Sequence, residues 1–202
     1  MDATSTQTTM QRRHIMEVQL LGSFQVKIDG RPAPETPWRS TKATALFKYL
    51  AYRAGTPVEC DRVMAAVWPD LDPDADQNHL HKAVHLLRQT LGAALGADAQ
   101  GLIEYSRGRY ALWVDETEVD AVQFRRAVFD ARWAERLEDA AATRRLLERA
   151  AGLYNGDLLE DDKPVGWIMP ERERLRHDYA DTLRRLAAMS RTRSASSPAP
   201  PR

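Results

Sequence analysis

The sequence holds one cysteine, Cys60, in 202 residues. A lone thiol excludes an intramolecular disulfide and any multi-cysteine metal knuckle. No apolar run reaches the roughly 18 residues needed to span a bilayer. Neither sign of charge is in excess, since 29 Lys and Arg stand against 29 Asp and Glu. That balance argues against a wholly basic, histone-like coat on nucleic acid, although it leaves room for a local basic face. The chain has no GxSxG elbow, no P-loop and no GxGxxG, and Cys60 lies among apolar helix residues. The carboxylates of Glu160, Asp161 and Asp162 are adjacent in one loop and look solvated rather than paired for acid–base work. No enzyme and no cofactor is therefore expected. The first fourteen residues are rich in Thr, Ser and Gln and are followed by no apolar core of the signal-peptide kind. A cytoplasmic protein is the expectation.

The residues present are those of a folded protein: 43% are hydrophobic and 29% charged, and the length fits one or two domains. Residues 1–14 and 191–202 are expected as disordered tails, the latter rich in Ser, Ala, Pro and Arg. Residues 15–115 are expected to form an α+β domain and residues 118–190 an all-helical one.

Met16, Val18, Leu20, Gly22, Phe24, Val26 and Ile28 alternate with polar residues, which predicts extended chain with one buried face, breakable at Gly22-Ser23. Asp29-Gly30 signals a turn. A helix is expected from Ser40 or Thr41, with Leu46, Phe47, Leu50 and Ala51 as its inner stripe, stopped by Gly55. A short second helix carries Val63, Met64, Val67 and Trp68. A third runs to about Leu91 on the stripe Leu80, Val84, Leu87 and Leu91, capped by Asp74 or Asp76. An Ala/Gly loop over 92–101 precedes a hairpin from Ile103 to Val114, whose turn uses Arg107-Gly108. Beyond Val119 three helices are expected, marked by Val122, Phe129 and Trp133, by Leu137, Ala141, Leu147 and Ala151, and by Leu175, Tyr179, Leu183 and Leu186.

Strands, three helices and a hairpin in that order are the winged-helix arrangement, in which the third helix enters the major groove. Opposite that helix's buried stripe lie Asn78, His81, Lys82, His85, Arg88 and Gln89, with no acid among them. Cations here suit phosphates and guanine edges, and the amides suit adenine. Arg107 and Arg109 flank the hairpin tip, and Arg39 and Lys42 are further phosphate-contact candidates. His81 and His85, with His79 nearby, raise a metal hypothesis. No acid or cysteine completes a tetrahedral set and residue 82 is Lys rather than the Glu of HExxH, so no metal is expected. His79 is expected to pack at the base of the helix.

Several stretches resemble known families. Val58-Glu59-Cys60-Asp61-Arg62-Val63 through Val67-Trp68, Asn78-His79-Leu80 through Arg88 with Leu91-Gly92, and Ser106-Arg107-Gly108-Arg109-Tyr110-Ala111-Leu112 resemble the second helix, recognition helix and wing of OmpR-type domains. Val119-Asp120-Ala121-Val122-Gln123-Phe124 resembles the junction to a bacterial transcriptional activator domain. Tyr154-Asn155-Gly156-Asp157-Leu158-Leu159, with Trp167, Arg172, Leu175, Tyr179 and Leu183, resembles that domain's signature. Together they are similar to the antibiotic regulatory protein (SARP) type of activator, over roughly residues 16–190. The resemblance implies a tetratricopeptide-like helical domain, a homodimer on direct repeats of double-stranded DNA, and contact with RNA polymerase through the loop between the second and third helices, here carrying Asp70, Asp72, Asp74 and Asp76. The family's Arg-Leu-Arg near the end of the recognition helix reads Leu86-Leu87-Arg88 here, and the helical domain is short for the family. The alternative reading is a protein-interaction or ligand-sensing module that works through the helical domain with weak or no DNA binding.

Overall fold

The computed structural model describes residues 14–33, 38, 41–71, 78–115, 118–164 and 166–195. The alternating stretch forms two strands, β1 (Met16–Gln19) and β2 (Gln25–Ile28), antiparallel with Val18 opposite Val26. The break falls at Gly22, whose φ of +92° is one that side chains beyond glycine rarely adopt. β3 (Arg31–Pro32) pairs with β2, and the sheet order is β1-β2-β3.

Three helices follow: α1 (Thr41–Tyr52), α2 (Cys60–Val67) and α3 (Asn78–Leu95). Their stripes meet in one core, with Leu46, Phe47, Leu50, Val63, Leu80 and Leu87 almost wholly enclosed. Between α1 and α2 lies β4 (Val58–Glu59), too short to announce itself by periodicity. It pairs with β6 (Arg109–Leu112), which pairs in turn with β5 (Ile103–Ser106), giving the order β4-β6-β5.

The loop expected over 92–101 is largely helical instead. α3 continues to Leu95, whose side chain is buried, and a 3-10 turn occupies Gly96–Ala99. Gly92 is tolerated because Leu91 and Leu95 on either side of it anchor the helix to the core. Gly96, with φ +59°, supplies the left-handed residue that ends it.

The C-terminal part comprises α4 (Asp120–Arg136), α5 (Ala140–Leu153) and α6 (Ile168–Ala195). α5 starts at Asp139, whose side chain accepts from the Ala142 amide at 2.8 Å. Two of the expected marker residues of α4 turn outward: Phe129 is 62% and Trp133 56% exposed. The inner stripe is Ala121, Phe124, Ala127, Val128 and Ala131, where small residues let α5 approach closely. Leu137, expected in the second of these helices, is the exposed C-cap of α4. α6 runs to Ala195, so residues 191–195, expected within the tail, are helical.

The two parts are bonded through the backbone. Val18 bridges Val119 and Leu21 bridges Leu158. The Gly22 amide donates to the Asp157 carbonyl, and the Leu159 amide to the Leu20 carbonyl. A Cβ on Gly156 would stand 2.9 Å from the Gly22 Cα, so this contact admits only glycine. Arg172 orders the same loop, donating to the carbonyls of Leu158 and Leu159. Asp157 accepts from Tyr154 and from Arg176, and the Arg176 hydrogen bond holds its carboxyl below the usual range. The Tyr154–Leu159 stretch thus acts as a clip on the end of the N-terminal sheet.

Side chains complete the seam. Trp167 packs against Tyr49 and Tyr52 of α1. The Tyr52 hydroxyl donates to Glu171 at 2.7 Å, and burial pushes its pKa up. Arg125 donates to the Tyr52 carbonyl at 2.8 Å and Lys48 pairs with Asp162. The Asp120 carboxylate accepts from the amides of Leu20, Leu21 and Ala121. Burial raises its pKa to about 6 against the opposing pull of those three hydrogen bonds.

Candidate nucleic-acid interface

α3 carries no acidic residue along its whole length. Its core stripe leaves Asn78, His81, Lys82, His85, Arg88 and Gln89 on the exposed side. The helix presents two cations, two amides and two histidines to the outside, within about 18 Å of helix at 1.5 Å per residue. His79 is also exposed and does not pack at the helix base as expected. Among the described residues, no group of three His, Cys, Asp or Glu could hold a metal ion.

Arg88 serves a second purpose. Its Nη2 donates to the Ile103 carbonyl at 3.0 Å, tying α3 to the first strand of the hairpin. The hairpin turn has φ +50° at Arg107 and +75° at Gly108, the double left-handed geometry of a type I′ turn. The Gly108 carbonyl accepts from the Cys60 amide, so the turn is tethered to the start of α2. Arg107 and Arg109 are both exposed. Arg109 pairs with Glu59 at 3.2 Å, with both side chains more than half exposed, an arrangement worth little in solvent.

The remaining candidates divide. Lys42 donates through Nζ to the Val67 carbonyl at 2.8 Å and lies over the Trp68 ring, so its charge sits on the C-terminal end of α2. Arg39, Asp72, Asp74 and Asp76 lie outside the described residues. Asp70 is exposed.

Two features escape a reading of the sequence. Arg62 on α2 joins Arg53 and Arg109 around a cavity of about 330 Å³ that also contacts Glu59. Leu86 is 39% exposed, on the same side of α3 as the polar set. Helical phase alone could have placed Leu86 outside the stripe, but an apolar residue beside Leu87 reads as core.

Residues 119–197 match the family model of the bacterial transcriptional activator domain. The C-terminal part is thus similar to a bacterial transcriptional activator domain. The chain is 29% identical over 166 residues to the transcriptional regulatory protein EmbR of Mycobacterium tuberculosis, covering 80% of itself and 40% of EmbR. It is 30% identical over 152 residues to the regulatory protein DnrI of Streptomyces peucetius, covering 72% of itself and 54% of DnrI. The solved structure of Mycobacterium tuberculosis EmbR in complex with a low affinity phosphopeptide shares its fold, with a TM-score of 0.72 at 24% identity over 88% of this chain and 46% of that one. The chain thus spans about half or less of the regulators it matches. Among the described residues, no helix is long and apolar enough to cross a membrane.

Proposed function

We propose that the chain is a sequence-specific DNA-binding transcriptional regulator, an OmpR-type winged helix joined to a short activator domain of tetratricopeptide-like helices, as in SARP-type proteins. The observation that carries this reading is the outer face of α3, which holds Lys82 and Arg88 among amides and histidines, lacks any acid, and is joined to the hairpin through Arg88. In the complex α3 lies in the major groove. Asn78, His81, Lys82, His85 and Arg88 meet base edges and phosphates there, and Arg107 and Arg109 meet the backbone beside it. Arg39 and Lys42 are proposed as further phosphate contacts.

Because the whole chain is neutral, recognition rests on a small cationic face, and two copies side by side on a direct repeat double that face. Activation proceeds by contact with RNA polymerase through the acidic loop of Asp70, Asp72, Asp74 and Asp76, whose charge suits a protein partner better than DNA. The test is selection of genomic DNA fragments by the purified protein, followed by mobility shifts on the enriched sequences. Enrichment of a common motif in repeated half-sites is expected, and no enrichment refutes the reading.

One observation favours a second reading. Phe129, Trp133 and Leu137 form an exposed apolar stripe along α4, and unpartnered stripes of this kind mark protein-docking faces. A protein-interaction or ligand-sensing module acting through α4–α6 would retain partner binding with no mobility shift on any fragment.

A further inference from the structure

Leu86 is out of place by composition. Its neighbour Leu87 fills the core at 1% exposure, whereas Leu86 is 39% exposed. On a helix surface the residues beside position 86 lie three and four away, here the buried Ala83 and Thr90 on one side and Lys82 and Gln89 on the other. Lys82 and Gln89 are exposed and lie on the face described above. Leu86 and Arg88 are about 200° apart around the helix axis, so they occupy opposite flanks of that face. Arg88 lies on the hairpin side, bonded to the Ile103 carbonyl, and Leu86 lies on the other flank. A leucine thus stands at the border of the hydrogen-bonding face, outside the core cluster of its own helix.

An apolar group on a groove-reading face has one apolar counterpart on base edges, the C5-methyl of thymine, which projects into the major groove. We propose that Leu86 is a specificity-determining residue that packs against a thymine methyl beside the phosphate met by Lys82 and the base met by Gln89. This inference rests on the DNA-binding reading and deepens it. Dehydrating one methyl against leucine is worth about fourfold in affinity, and an arginine at this position would favour guanine instead.

The experiment separates the two levels. Duplexes enriched from a randomised library by the full chain are resynthesised with uracil in place of thymine at each position in turn, which removes the methyl and leaves the pairing intact. For the wild type, one thymine per half-site is expected to cost about fourfold when replaced. For Leu86→Ala the same replacement is expected to cost nothing, with only a small fall in the thermal unfolding midpoint because the side chain is partly exposed. Leu86→Arg is expected to move the preference at that position toward guanine. Uracil penalties equal in wild type and Leu86→Ala, or absent everywhere, overturn the inference and leave DNA binding standing. If no duplex is enriched, the DNA-binding reading falls and takes the inference with it.

Discussion

The guanidinium of Arg88 crosses from α3 to donate its Nη2 proton to the main-chain carbonyl of Ile103 at 3.0 Å. One side chain therefore ties the exposed helix to the hairpin through a single N–H of its guanidinium. Arg88→Ala is expected to lower DNA affinity by about 1–3 kcal/mol and to speed amide exchange in β5. Arg88→Lys retains charge without the fork and is expected to recover only part of the affinity. Unchanged binding together with unchanged exchange would remove Arg88 from both roles.

Among the described residues, Lys82 makes no comparable bond to another element. Lys82→Ala is expected to leave stability unchanged and, as a phosphate contact, to weaken binding evenly across sequences and lower the salt slope by about 1. For the wild type, five to seven phosphate contacts correspond to a slope of roughly −4 to −6 in log affinity against log salt. Fluorescence anisotropy titrations at several salt concentrations measure both, and a flat response would refute the electrostatic part of the reading.

Asp120 makes the seam sensitive to pH. Its folded-state pKa is raised to about 6 by burial, above that of an unfolded aspartate. The folded state therefore binds the proton more tightly. The stability this group contributes is fully present below the unfolded pKa and is lost as pH rises through about 6. Relative to Asp120→Asn, which does not titrate, the wild type is expected to gain about 1–2 kcal/mol between pH 7 and pH 5. Denaturant unfolding of both proteins at the two values tests this, and parallel curves would contradict it.

Gly156 and Gly152 make a controlled pair. A Cβ at Gly156 meets the Gly22 backbone and the Glu160 carboxylate, at a φ of +155°. A Cβ at Gly152, inside α5, meets nothing within 4 Å. Gly156→Ala is expected to destabilise by about 1–3 kcal/mol, and Gly152→Ala to stabilise by about 0.5–1 kcal/mol. Equal effects would mean that the clip on β1 does not depend on this close approach.

The α4 stripe is tested in the opposite sense. Replacing Phe129, Trp133 and Leu137 together with serine is expected to change stability by less than about 0.5 kcal/mol per site, since none is buried. DNA affinity is expected to stay as in the wild type. Loss of stability beyond this would show that the stripe is covered within the protein itself.

The N-terminal elements were legible because each has one buried face. The alternation of Met16, Val18, Val26 and Ile28 and the spacing of Leu80, Val84, Leu87 and Leu91 are direct images of a pleat and a helix. α4 was misread because its core face is mostly alanine, which carries little hydropathy signal, while its largest apolar residues point outward. β4 was missed because two residues have no period. On the proposed interface, the absence of acids from α3 is a property of the sequence. That Lys42 is drawn to the Val67 carbonyl and Arg88 to the Ile103 carbonyl is not, because both acceptors belong to other elements.

The amino-acid sequence by itself determined the order of the main helices and the hairpin, the polar face of α3 and the likeness to transcription-regulating proteins, since local periodicity and motif spacing are written along the chain. The tertiary structure alone decided that the Tyr154–Leu159 loop clips the end of β1 through Gly22 and that Asp120 titrates near 6. It alone decided, too, that Leu86 stands outside the core. These properties depend on what distant segments place beside a residue, and on how much water they leave there, which no spacing along the chain records.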